Sequence, residues 1–210
     1  MKNILVHGLG QNETSWDIVG KELKNNNIKV EVPSLYSMGK DVTPDYDTLY
    51  KQFVNYCNNF NEKLNLCGLS LGGILALNYT KEFPDKVNSL ILIGTPYKIP
   101  KFLFKVQGFI FKIMPKSTFE KIGCEKKDFI FLVNSMSNLD IEINLDKVTC
   151  KTMILCGVND KQNMESAKLL NKYIKNSYFK TMDNSSHEVN VDNPKELANT
   201  IYEFWKDRGN

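Results

Sequence analysis

Short, continuously apolar runs alternate along this chain with longer stretches of helical period, and that alternation leaves few folds open. The runs are Asn3–Val6, Lys29–Val32, Leu64–Cys67, Ser89–Ile93, Thr152–Cys156 and Ser177–Thr181. Strands that are apolar or β-branched throughout are buried on both faces, as in a parallel sheet held between helices. The periodic stretches, about Thr14–Asn26, Asp45–Phe60, Leu71–Glu82, Asn163–Lys175 and Pro194–Lys206, supply those helices. The last has the clearest start chemistry: Asn193 reads as the N-cap, Pro194 sits at N1, and Glu196 completes a capping box. Pro84 closes the third. The expectation is an α/β fold, a doubly wound and mainly parallel sheet of about six strands with helices on both faces.

One segment breaks the rhythm. Between Pro96 and about Asp146, lysines interleave with Phe102, Phe104, Phe109, Phe111, Phe119, Phe129 and Phe131. It is too long for an ordinary connection and too apolar for a disordered linker. It reads as a helical cap insertion (96–146) laid over one end of a core made of residues 1–95 and 147–210. A chain of 210 residues accommodates one domain with such an insertion.

Composition removes several function classes. No apolar run approaches the roughly 18 residues of a membrane span. The start, Met1–His7, lacks a signal peptide's apolar length and cleavage site, so a cytoplasmic protein without stable membrane insertion is expected. A net charge of +3 does not predict a nucleic-acid partner, and Arg208 is the only arginine available for bidentate phosphate or guanine recognition. The five cysteines form no CxxC, which argues against a disulfide framework or zinc site and for a reducing compartment.

The residues that carry chemistry begin with Gly68-Leu69-Ser70-Leu71-Gly72, directly after an apolar run and directly before a helical one. This is G-x-S-x-G in the strand–turn–helix context the motif requires. Chance gives roughly 0.04 matches in a chain of this composition. An abrupt strand-to-helix turn forces the serine into a strained backbone conformation, so glycines flank it where the chain crowds. The Ser70 oxygen then projects from the carboxyl end of the sheet, with the Leu71 N–H at the helix start free for an oxyanion. A second glycine-rich turn, His7-Gly8-Leu9-Gly10-Gln11, ends the first strand and offers the Leu9 N–H as a second donor. Of the two histidines, His7 closes a buried strand and reads as structural. His187 lies in a polar loop after the last strand and is the better general base. Asp160, just beyond the fifth strand, is the acid candidate, with helix capping as its competing role and Asp146 and Asp183 as alternatives.

The order Ser70, Asp160, His187 is that of the α/β-hydrolases, and the sequence resembles that family along nearly its whole length. Gly68–Gly73 is similar to the nucleophile elbow of small esterase-like members, and His7–Gly10 to their oxyanion loop. Gly157-x-x-Asp160 and His187-x-x-x-x-Asp192-x-Pro194 resemble the acid and histidine motifs, with Asp192 where glutamate is usual and a role for it at the helix start. The chain opens at the strand leading into the oxyanion loop, so the family's usual first two strands are expected to be absent. The resemblance then implies a strand order 2-1-3-4-5-6, with the ligand crevice at the switch point between strands 1 and 3.

What the resemblance implies is a serine hydrolase cleaving a carboxylic ester or thioester of a small apolar acyl group. Ser70 is nucleophile, His187 base, Asp160 its orienter, and Leu9 and Leu71 the oxyanion donors. No metal or organic cofactor is required. Gly8, Tyr97, Phe102 and Phe109 are the candidate pocket residues. The cap aromatics either line an acyl slot or pack a lid on the body; docking at a membrane surface is a third reading. Two alternative functions stay open. One is a hydrolase-like binding or signalling protein with slow or no turnover; the other is an acyltransferase or an amide or C–C bond hydrolase on the same triad. The partner is a small-molecule ester or thioester, and the chain is a monomer or homodimer.

Overall fold

The computed structural model describes residues 1–37, 45–99, 111 and 114–207. Six strands make one sheet: β1 (Lys2–Val6), β2 (Val30–Glu31), β3 (Leu64–Leu69), β4 (Val87–Ile93), β5 (Lys151–Gly157) and β6 (Ser177–Met182). Their order is β2-β1-β3-β4-β5-β6, and every neighbouring pair is parallel. The chain's order therefore reverses between β1 and β3, and the crevice beyond their carboxyl ends is where an open α/β sheet binds ligands.

The apolar runs are continuous because successive side chains serve two cores. Ile4, Val6, Leu66, Leu90, Leu92 and Ile154 face helices α2 (Tyr46–Asn58), α3 (Leu71–Glu82) and α6 (Lys161–Tyr173). Leu5, Cys67, Leu69, Ile91, Ile93 and Met153 face α1 (Asp17–Asn25) and α8 (Pro194–Lys206). Helix α3 is buried without a break from Leu71 to Leu77, as expected of a helix covered on all sides. All five cysteines are free thiols. Among the described residues no helix is long and apolar enough to cross a membrane.

Several boundaries differ from the sequence reading, each for a local reason. Strand β2 keeps only two residues of the expected four, because this edge strand pairs with β1 only at Val30 and Glu31. The first helix opens as a 3-10 turn, Glu13–Trp16, whose start is capped by the Asn12 side chain accepting from Thr14 N. Helix α6 starts at Lys161, two residues early, because Asp160 is its N-cap. Asn193 is the N-cap of α8 with Pro194 behind it, as expected, but its side chain makes no capping hydrogen bond. Its amide instead donates to Glu196 and to the Asp183 carbonyl. Asp192 is also reassigned: rather than serving the α8 start, it accepts from Ser186 N at 2.7 Å and from the Ser186 hydroxyl.

Between β4 and β5 lie α4 (Lys116–Glu120) and α5 (Lys126–Ser135), followed by 3-10 turns at Met136–Asn138 and Leu145–Lys147. Phe102, Phe104 and Phe109 fall outside the described residues. Phe119, Phe129 and Val133 form a buried cluster of their own, with Leu9, Tyr36 and Phe111 packed against it. Phe129 meets Phe111 and Phe119 edge-on at 5.0 and 5.1 Å. A short helix, α7 (Val189–Asp192), precedes α8.

At Gly72 a Cβ would strike the Val6 and His7 carbonyls of the neighbouring β1 end. Backbone atoms of a central strand have nowhere to go. Gly72→Ala should therefore lower stability by about 1–3 kcal/mol or more. The check is the urea midpoint of unfolding; an unchanged midpoint would contradict this packing.

Candidate active site

Ser70 sits between β3 and α3 with φ 50° and ψ −111°. A non-glycine residue held there stores roughly 1–3 kcal/mol of strain, sustained only where the surroundings over-determine it. Here they do. Ser70 N donates to the Ile93 carbonyl at 2.8 Å, and its own carbonyl accepts from Ile74 N at 3.0 Å. A Cβ on Gly68 would collide with the Gly72–Gly73 backbone, so the strand and helix approach closely enough to fix the turn. Leu71 is the first residue of α3, and its N–H donates to no described residue. The same holds for Leu9 N in the turn after β1. Leu9 N and Leu71 N, which follow β1 and β3, thus have no partner among the described residues.

His187 and Asp160 lie on loops that follow β6 and β5 and are joined by a 2.8 Å hydrogen bond from His187 Nδ1 to Asp160 Oδ2. Those loops are stitched by Asn159 N donating to the Ser185 carbonyl at 3.0 Å. Asp160 is 5% exposed by side chain and His187 41%, so the acid is shielded while the imidazole reaches the surface. Burial alone pushes the Asp160 carboxyl upward. Hydrogen bonds from His187 and from Asn163, whose Nδ2 lies 3.0 Å from both carboxylate oxygens, outweigh it and hold the pKa below the ordinary value. An ionised Asp160 accepts, so Nδ1 carries the proton and Nε2 keeps its lone pair.

Gly94, directly after β4, brings the serine and the pair into one neighbourhood. Its φ is +53°, and a Cβ there would lie 3.0 Å from His187 Nδ1 and 3.4 Å from Asp160 Oδ2. Its chain neighbour Ile93 holds Ser70 N. No hydrogen bond joins Ser70 to His187 among the described residues. Such contacts commonly tighten only when substrate arrives. Of the expected pocket residues, Gly8 is buried, its N–H directed to Gln11 Oε1 at 3.3 Å. Tyr97 stacks on Tyr173, the last residue of α6, at 5.6 Å, three residues beyond Gly94. Phe102 and Phe109 lie outside the described residues.

His7 is fully buried. Its Nε2 accepts from Leu35 N at 3.2 Å, so Nδ1 carries the proton to the Gly8 carbonyl at 2.9 Å. Sequence reasoning overlooked Gly94, Asn163, Gln11 and Asn190. Gly94 alone left a signal, a glycine at the end of an apolar run, whereas the polar residues acquire meaning only through distant partners.

The sequence profile of the α/β hydrolase fold matches residues 4–122. The mouse monoacylglycerol lipase ABHD6 is 25% identical over 96% of this chain and 74% of its own length. A proline iminopeptidase from Saccharolobus solfataricus is 27% identical over 69% of this chain and 62% of its own. Among solved structures, an esterase from Thermogutta terrifontis superposes with a TM-score of 0.79 at 21% identity, covering 100% of this chain and 91% of that one. An enol-lactonase from Burkholderia xenovorans LB400 gives 0.82 at 13% identity, covering 98% and 91%.

Burial lowers the His7 pKa, against smaller opposing effects of the Gly8 carbonyl and Glu13. Below its ordinary value of 6.5 the unfolded chain takes up a proton that the native state refuses. The stability present above that pH is therefore lost as the pH falls toward the lowered native value. Thermal unfolding between pH 7.5 and 5 should show a declining Tm in the native sequence and a shallower decline in His7→Gln. Equal slopes would remove His7 as a source of the decline.

Proposed function

Because the chain belongs to the α/β hydrolase fold family, we propose that it is a serine hydrolase acting on a carboxylic ester or thioester with an apolar acyl group. The observation that carries this reading is the His187–Asp160 hydrogen bond at 2.8 Å, formed beside Gly94 while Gly94's neighbour holds the Ser70 backbone. A serine hydroxyl at neutral pH is a poor nucleophile and needs a base during attack. His187 Nε2, its lone pair set by the Nδ1–H bond to Asp160, takes the Ser70 proton as Oγ adds to the carbonyl carbon. The Leu9 and Leu71 N–H groups receive the oxyanion, each contributing about 2.7–4 kcal/mol to the transition state. Collapse expels the alcohol or thiol, which takes its proton from His187. Water then repeats the sequence on the acyl-enzyme, releasing the acid and restoring Ser70.

The apolar acyl preference rests on Phe111, Phe119 and Phe129 gathering against Leu9, the residue whose N–H is the proposed donor. The names of the relatives, a monoacylglycerol lipase and an esterase, agree with ester cleavage. The proline iminopeptidase favours a second reading, amide cleavage on the same three residues, in which only the leaving group changes.

Ser70→Ala should lower turnover of an activated p-nitrophenyl ester by about 10⁴-fold or more with the fold intact. A fluorophosphonate probe should label the native protein at Ser70 and leave the variant unlabelled. Activity within tenfold of the native protein would remove Ser70 from the mechanism. A series of ester chain lengths set beside a prolyl amide separates the two substrate readings.

A further inference from the structure

Gln11 and Asn190 are buried, at 6% and 2% exposure, yet both carry amides that satisfy each other. Gln11 Nε2 donates to Asn190 Oδ1 at 3.2 Å, and Asn190 Nδ2 donates to Gln11 Oε1 at 3.2 Å. The orientation of each amide is fixed by backbone partners. Gln11 Oε1 also accepts from Gly8 N at 3.3 Å, which only an oxygen can do, and Asn190 Nδ2 donates to the Ser15 carbonyl at 3.1 Å, which only a nitrogen can do. The pair therefore has one arrangement, and breaking it leaves buried donors and acceptors unpaired.

Its position gives it a consequence for the chemistry. Gly8 immediately precedes Leu9, whose N–H is the proposed oxyanion donor, and Asn190 lies in α7, three residues after His187. The two segments are 179 residues apart in sequence and meet where α7 packs on the Glu13–Trp16 turn, with Val189 and Trp16 in one core. We propose that Gln11 and Asn190 are positioning residues, a buried amide clamp that sets the loop carrying the Leu9 N–H relative to the turn carrying His187. The clamp's catalytic meaning rests on the serine-hydrolase reading; the coupling between the loops does not.

Two near-isosteric variants test it, Gln11→Met and Asn190→Leu, with the double variant and the exchanged pair Gln11→Asn with Asn190→Gln. Turnover of p-nitrophenyl butyrate should fall about ten- to a hundredfold in each single variant, because small displacements of catalytic groups are felt at that scale. KM should stay within about threefold, and the double variant should be no worse than the weaker single one, since a unit is lost only once. The exchanged pair should recover most of the lost kcat. Independently of activity, hydrogen exchange in the unmutated segment His7–Gln11 should quicken in Asn190→Leu. A merely structural clamp would lower Tm and leave kcat per folded molecule unchanged. That result, losses that multiply in the double variant, or unaltered exchange in His7–Gln11 would overturn the proposal. Should Asn190→Leu fail to fold, Gln11→Met carries the same test, with exchange read in the segment around Asn190. A native protein that neither turns over the ester nor labels at Ser70 would instead sink the hydrolase reading, with the exchange measurement still deciding the coupling.

Discussion

One hydrogen bond, from His187 Nδ1 to Asp160 Oδ2, ties together loops at the ends of two neighbouring parallel strands and decides which imidazole nitrogen is left free. The proposed mechanism depends on that choice. A histidine in the opposite tautomer would offer a proton, not a lone pair, on Nε2, and nothing could deprotonate a serine. The bond is well supported: Asp160 caps α6, Asn163 donates to both of its oxygens, and the Asn159–Ser185 backbone bond holds the two loops at fixed separation. The carboxylate stays ionised despite its burial because three donors converge on it.

The serine side depends on steric crowding rather than charge. Strain at Ser70 persists because β3 and α3 pass so closely that only glycine fits at Gly68, while α3 lies so close to the end of β1 that only glycine fits at Gly72. Gly94 then carries that constraint across to β4, where its missing side chain leaves room for the imidazole and carboxylate. A parallel sheet makes this economical. Its strand ends all face one rim, so residues far apart in sequence arrive at one crevice without any long-range motif.

The architecture was legible because it rests on periodicity. Ile4, Leu5 and Val6 are all apolar since they alternate between two cores, and the same holds for Leu90 to Ile93, so the parallel sheet could be read from residue types, while its strand order came from the family resemblance. The elbow was legible because its glycines are demanded by local geometry. What escaped was whatever depends on tertiary partners. Asn193 is the N-cap of α8 by position but spends its amide on Glu196 and Asp183, and Asp192 turns back to Ser186. The stacking of Tyr97 on Tyr173 likewise joins residues that no motif links. Gln11 and Asn190 carry no motif at all, and their pairing exists only in three dimensions.

The most direct test of the central arrangement is a crystal structure of the protein after reaction with a fluorophosphonate. The phosphorus should be bonded to Ser70 Oγ, with one phosphonyl oxygen about 2.7–3.1 Å from the Leu9 and Leu71 nitrogens and His187 Nε2 turned toward the adduct. An adduct on another residue, or one whose oxygen points away from both N–H groups with His187 out of reach, would contradict the account.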